Sequence, residues 1–353
     1  MSTARTRDGQ LHIPTIDLAT FRDGLAADRA LVAAELDRAA STVGFVQVVG
    51  HDIPAAVETG MVSAMDSFFG LPMWQKKALR PASPEFNRGY TPPRAERLSL
   101  SLGVDSPADL FESFNVGRSS EDFPGLGLDD LQYAPNLWPL RPESFEPSVM
   151  IWFAEAARVA REVTSVMAVA LGLDDDFFAG YQDHALEVLR LNNYCVPADE
   201  KLLSQDQVGM GAHTDHGIVT VLWADPEIRG LQILDQDGTW HDVMPTAGAL
   251  LVNLGDLAAH WTNDRWVSPL HRVLPPTDDE GHLVRRRSAA FFHDGNADAV
   301  ISVLPGCADE GKPAHYEAVT VAEHLAAQQN DSRGLAVKPS PSRDAAPLLG
   351  VNP

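Results

Sequence analysis

Cysteine is almost missing from this chain. Only Cys195 and Cys307 occur among 353 residues, and neither sits in a CxxC pair. A disulfide framework and a thiolate zinc site are therefore excluded, and a reducing, cytoplasmic setting is the expectation. Cys195 reads as an inert buried thiol. Positive charge is also scarce: 27 Lys and Arg stand against 49 Asp and Glu, a formal net charge of −22. Such a surface repels phosphate backbones, so nucleic acid is not an expected partner. No apolar run reaches the roughly 18 residues that span a bilayer, so no membrane partner is expected. The richest, "GALLVNLGDLAAHW", is broken by Asn253 and Asp256. The opening "MSTARTRDGQLHIP" has no apolar core of a signal peptide. Internal repeats are absent, and the pattern carries no signal of oligomeric state.

What is present suits a globular protein: 44% hydrophobic and 22% charged residues, with length enough for a sizeable core. Residues 28–43 read as an amphipathic helix with Leu31, Ala34, Ala39 and Val43 inward. "GFVQVV" reads as a strand, followed by a helix from Pro54 to Phe69. Residues 81–145, rich in Pro, Ser, Asp and Gly, read as loops with short elements. The clearest helix runs from Pro147 to Leu171, with Gly172 as its stop.

From Leu186 the pattern changes to short strands, at 186–195, 208–213, 217–224, 230–234, 239–243, 249–254, 266–274 and 285–293. "DQDG" and "TND" (262–264) read as hairpin turns between them. Short strands at even spacing without intervening helices argue for a sandwich or jelly roll rather than a parallel sheet. A helix near Thr320–Gln329 follows, and residues 330–353 read as a mobile tail. The organisation expected is a helical region over 1–180, packed on a β core with its C-terminal helix over 181–329.

"GAHTDHG" holds the first chemical signal. If it is extended, His213 and Asp215 share a face while His216 points away. Two ligands are too few, and His271, in an extended stretch after a turn, is the best third; His241 and His282 sit beside turns where solvated histidines are common. Two imidazoles and a carboxylate leave half an octahedron open, the facial triad of non-haem Fe(II) oxygenases. "RRRSAAFFH" places Arg286 and Ser288 on one strand face, able to hold a carboxylate, with Arg285 and Arg287 on the other. "LEVLRLNNYC" puts Arg190, Asn192 and Tyr194 together on a face too polar for plain core. Phe292 and Phe111 read more readily as core than as pocket walls, Arg94 as a solvated loop residue, and His293 as structural.

Taken together, these elements resemble the isopenicillin N synthase-like family of Fe(II)/2-oxoglutarate-dependent dioxygenases. "IPTIDLA", "GFVQVVGHDIP", "MDSFFGLPMWQKKAL", "NRGYTPP", "DLFESFNVG", "PNLWP", "HTDHG", "NLGD", "SPLHRV" and "RRSAAFF" follow the family's order across roughly residues 12–325. The resemblance implies a mainly β fold with flanking helices around a double-stranded β-helix (jelly roll). It implies Fe(II) held by His213, Asp215 and His271. It implies 2-oxoglutarate gripped by Arg286 and Ser288, with Asn192 and Tyr194 close by. The implied reaction consumes O2, turns 2-oxoglutarate into succinate and CO2, and oxidises an unactivated C–H of a small-molecule metabolite. Hydroxylation is the default outcome, and ascorbate is a possible reductant. Asn193 and Cys195 depart from the family's usual Tyr and Pro, which points to an unusual pocket mouth. The alternatives are a family-type oxidase that does not use 2-oxoglutarate and a non-catalytic ligand-binding protein on the same fold.

Overall fold

The computed structural model describes residues 11–83, 85–99, 107–194, 208–226 and 228–332. Cys195 and residues 333–353 of the expected tail lie outside that range. The chain begins with β1 (Thr15–Asp17), α1 (Leu18–Asp23), α2 (Ala26–Ala40), β2 (Phe45–Val49), α3 (Ala55–Phe69) and α4 (Met73–Lys77). β3 (Gly89–Thr91), β4 (Phe111–Gly117) and the long α5 (Phe145–Ala170) follow. Then come β5 (Leu186–Tyr194), β6 (Met210–His213), β7 (Val219–Ala224), β8 (Arg229–Leu234), β9 (Trp240–Asp242) and β10 (Leu250–Leu254). A short α6 (Asp256–Trp261) precedes β11 (His271–Thr277) and β12 (Arg286–Gly295). The small hairpin β13 (Val300–Ile301) and β14 (Val319–Thr320) leads into α7 (Val321–Ser332).

These strands form a mixed β core flanked by helices. An eight-stranded sheet runs β1-β2-β10-β7-β12-β5-β4-β3, and a four-stranded sheet runs β6-β11-β8-β9. Among the described residues the two are not hydrogen-bonded into one closed barrel. Only β1–β2 is parallel in the larger sheet; its other pairings are antiparallel. Strand alternation gives that sheet two different faces. One face of β12 carries Ala289, Phe291 and His293 toward the helices, where Phe291 meets Phe153 of α5 edge-on at 5.0 Å. The other carries Arg286, Ser288, Ala290 and Phe292 into a cavity between the sheets. Helix α5 buries Phe145, Val149, Trp152, Phe153, Val163 and Met167 against α2, α3 and the sheet. Burial of each such side chain contributes roughly 1.5–3 kcal/mol. Gly172, at φ 73°, ends this helix by entering the left-handed region that glycine adopts without strain.

All eight strands read from the second half are present, with one displaced: the stretch read at 266–274 is extended only from His271, and continues through Pro275 and Pro276 to Thr277. Four readings need correction. Helix α2 buries Val32, Ala33, Leu36, Ala39 and Ala40, while Leu31 is 70% exposed. An alanine-rich helix offers two nearly equivalent stripes, and α5 together with β1 and β2 selects one. Residues 81–145, read as loops with short elements, contribute more than that to the core: β4 is a seven-residue, wholly buried strand of the main sheet. "TND" is not a hairpin turn but the end of α6, where Asn263 and Asp264 take φ 52° and 59°. Helix α7 extends through Ser332, three residues into the segment read as tail. No helix among the described residues is long and apolar enough to cross a membrane.

Candidate active site

His213 closes β6 and His271 opens β11, and the two are paired across the antiparallel ladder. Their rings lie 4.3 Å apart. Asp215, in the loop after β6, turns back toward both: its Oδ1 stands 3.7 Å from His213 Nε2 and 3.8 Å from His271 Nε2. One ligand atom from each residue falls within 4.8 Å of the others, a spacing that one ion bridges. The donor orientations are fixed from behind. His213 Nδ1 meets the Gly211 carbonyl at 2.8 Å, and His271 Nδ1 meets the Pro269 carbonyl at 3.0 Å, which leaves both Nε2 atoms as ligands. Asp215 Oδ2 accepts from Thr220 Oγ1 at 2.6 Å and Asn253 Nδ2 at 2.8 Å, which leaves Oδ1 for the metal.

Electrostatics agree with this donor set. Burial, then the neighbouring His271, pushes His213 down to about 3, so its imidazole is neutral with a lone pair to give. Burial works against the charge of Asp215, but His271, His213 and its two hydrogen bonds hold it below the usual carboxylate range. The loop carrying Asp215 is tied to the start of α6: Asp256 N donates to the Asp215 carbonyl at 2.8 Å, and Leu257 N to that of Gly217 at 3.1 Å. Gly255 makes this approach feasible, since a Cβ there would stand 2.2 Å from the Gly217 carbonyl oxygen. His216, in the same loop, turns away from the triad, with Nδ1 3.2 Å from Asp256 Oδ2.

The cavity between the sheets has a volume of about 840 Å³ and reaches from these ligands to β5 and β12. Arg286 is cross-strand partner to Tyr194, and Ser288 to Asn192. Asn192 Nδ2 donates to Ser288 Oγ at 3.3 Å. Arg286 is 3% exposed and lies 5.3 Å over the Tyr194 ring. Its Nε has no partner, and among the described residues no carboxylate lies within ion-pair distance of its guanidinium. Burial pulls its pKa down from the ordinary value, with Tyr194 opposing. A buried guanidinium with no acidic partner, beside a hydroxyl, fits an incoming carboxylate.

The other sequence candidates fall on both sides of expectation. Arg287 turns to the opposite face, as expected, where it grips Asp225 with two nitrogens and Asp66 with a third. Arg285 joins Asp66 and Asn193. Asn193 is therefore not at the pocket mouth; it is buried on the helix side, bonded to Glu112 at 2.8 Å. Phe292 lines the cavity, whereas Phe111 is core against Tyr194. Arg94 is an exposed residue at the cavity mouth. His293 is fully buried between Glu187 and Gln182. His282 is solvated, and His241 pairs with Asp235 at 2.7 Å. Sequence reasoning missed Thr220 and Asn253. For Asn253 a signal existed, a lone amide inside the apolar strand "LLVNL".

A paired-histidine and aspartate triad facing a buried cation, in one cavity, is the arrangement of an iron oxygenase site. Residues 186–295 match the family described as the 2OG-Fe(II) oxygenase superfamily, and residues 13–141 match the N-terminal family described as non-haem dioxygenase in morphine synthesis. The chain belongs to the 2OG-Fe(II) oxygenase superfamily. The oxygenase is 32% identical to the 2-oxoglutarate-Fe(II) type oxidoreductase hxnY of Emericella nidulans, over 92% of this chain and 91% of that one. It is also 32% identical to the Validamycin A dioxygenase of Streptomyces hygroscopicus subsp. limoneus, over 89% of this chain and 84% of the relative. Among solved structures it resembles a full-length Neurospora crassa protein crystallised in complex with alpha-KG and thymine, with TM-score 0.79 and 30% identity, covering 94% of this chain and 100% of that one. The oxygenase is thus an oxidoreductase that uses Fe(II), 2-oxoglutarate and O2 on a small molecule through the His213-Asp215-His271 triad.

Proposed function

We propose that this oxygenase hydroxylates an unactivated C–H bond of a small-molecule metabolite, with release of succinate and CO2. The observation that carries the reading is the buried Arg286, without an acidic partner among the described residues, within one cavity of the triad. Arg286 and Ser288 hold the distal carboxylate of 2-oxoglutarate, with Tyr194 stacked behind the guanidinium and Asn192 fixing the Ser288 hydroxyl. Iron and 2-oxoglutarate, when bound, supply O2 activation coupled to oxidative decarboxylation. Asp215 keeps its ligating oxygen aimed because Thr220 and Asn253 hold the other one. Phe45, Leu222, Leu231 and Val273 wall the cavity with apolar surface and keep bulk water from the reacting centre.

The finer fold reading, a double-stranded β-helix, is supported by two facing sheets with the site between them. Residues 1–180 serve as the N-terminal scaffold and 181–329 as the catalytic core, a division that the two separate family matches support. A cytoplasmic setting and ascorbate as external reductant complete the proposal. A substrate screen that reads succinate under Fe(II), 2-oxoglutarate and ascorbate tests it. Turnover with O2 but independent of 2-oxoglutarate would assign Arg286 to a substrate carboxylate instead.

A further inference from the structure

Beside the loop that carries Asp215, the cavity wall holds a carboxylate with no partner among the described residues. Asp294 continues the inward face of β12 past Phe292 and lines the cavity beside His216 and Gly217. Among the described residues its carboxylate accepts no hydrogen bond, and no cation stands within ion-pair distance of it. Gly217 gives it room, because a Cβ there would lie 1.8 Å from Asp294 Oδ1. Burial pushes this carboxyl up to about 7, against the pull of the nearby His216. His216 is itself committed to Asp256.

The cations of the cavity are engaged elsewhere. Arg190 pairs with Glu96. Arg88 donates to the carbonyls of Asn87, Arg118 and Ala134. Arg286 faces the cosubstrate end, and Arg80, Arg94 and Arg97 are exposed at the mouth. Two more acceptors on the cavity wall, Asn115 Oδ1 and Asn192 Oδ1, are buried without a donor among the described residues. The lining thus holds unfilled acceptors, one of them a carboxyl group. Desolvated acceptors of this kind are costly unless a ligand supplies donors.

We propose that Asp294 anchors a protonated amine of the substrate, so that this oxygenase acts on small cationic amines. The inference rests on the functional reading above and names the substrate class of that same site. An ammonium group carries several N–H donors and one positive charge, which matches a carboxylate on the cavity wall that has no partner among the described residues. The anchor adjoins the loop that carries Asp215, so the C–H oxidised is one a few bonds from the nitrogen.

Calorimetric titration of the Fe(II)- and 2-oxoglutarate-loaded enzyme without oxygen tests this. The probes are piperidine and cyclohexylamine, each against its N-acetyl counterpart, which keeps the ring and removes the charge. The amines are expected to bind about tenfold or more tightly than their acetylated forms, the scale of one desolvated charge pair. Asp294→Asn is expected to erase that preference while 2-oxoglutarate affinity stays unchanged, which also reports that the variant is folded. Equal affinity for amine and amide, or no measurable binding of either amine at millimolar concentration, overturns the proposal in the wild-type enzyme alone. A preference that survives Asp294→Asn overturns it as well. Failure of the underlying functional reading shows separately, as an absence of 2-oxoglutarate binding before any amine is added.

Discussion

Asn253 donates to Asp215 at 2.8 Å, and Thr220 donates to the same oxygen at 2.6 Å. The two donors sit on adjacent strands as cross-strand partners, Asn253 on β10 and Thr220 on β7. The sheet itself therefore sets the rotamer of the metal carboxylate. Removal of such an orienting partner costs roughly 10–100-fold in metal affinity. Asn253→Ala is expected to weaken Fe(II) binding by about that factor in an anaerobic titration, and Thr220→Val to a comparable degree. Unchanged affinity in both variants would show that Asp215 holds its orientation unaided.

His271→Ala and Asp215→Ala are expected to abolish stoichiometric Fe(II) binding and turnover, because each removes one of three ligands. His216→Ala is expected to retain iron, since its Nδ1 faces Asp256 and not the triad. Metal analysis of the three purified variants separates the roles. Iron lost from His216→Ala and kept by His271→Ala would reassign the ligand set.

Arg286→Ala and Arg287→Ala remove the same charge from adjacent residues on opposite faces of β12. Truncating one side of a buried charge pair costs roughly 2–5 kcal/mol, or about 30-fold and upward in binding. The apparent KM for 2-oxoglutarate should rise by at least that factor in Arg286→Ala. Arg287→Ala should leave KM near wild type and instead lower the melting temperature, because Asp225 and Asp66 lose their shared partner. A KM effect that follows Arg287 would place the cosubstrate on the wrong face.

Glu187 gives a pH prediction with a definite sign. It is buried, which raises its pKa, but His293, Arg161 and Arg118 outweigh burial and hold it below the ordinary carboxylate value. A carboxylate depressed in the folded state stabilises fully above its unfolded pKa, about 4.3, and that contribution fades as pH falls through the folded value. Denaturant unfolding of the wild type and Glu187→Gln should therefore differ by a constant amount from neutral pH to about 5 and draw together only as pH falls below the unfolded value of about 4.3. A difference that grows on acidification would reverse the assignment.

The β core and the triad were legible because their signals are local. Period-2 alternation marks β5, β7 and β12, and it also phases Arg286 with Ser288 and Arg287 with Arg285. His271 stood out by its extended surroundings, although its pairing with His213 spans the sequence. What escaped reading depends on partners far along the chain. Strand β4 did not stand out from a region read as loops with short elements, because Glu112, Ser113 and Asn115 interrupt its apolar pattern. Glu112 accepts from Lys76, Tyr90 and Asn193, Ser113 accepts from Arg190, and Asn115 Nδ2 donates to Asn87, partners none of which is close in sequence. The buried side of α2 was misread for a related reason, since its packing partners, α5 with β1 and β2, decide which alanine stripe is covered.

The strand order of the large sheet has a further consequence. β2, from the first fifty residues, borders β10, and β4 borders β5, so the early strands bracket the catalytic ones on both sides. A chain started near residue 180 would keep every metal ligand and still leave the backbone amides and carbonyls of β10 and β5 unpaired along two hydrophobic margins. Such margins recruit other chains. The two sequence-matched regions are separable on paper but not in water, and a catalytic half made alone is expected to associate with itself before it binds iron.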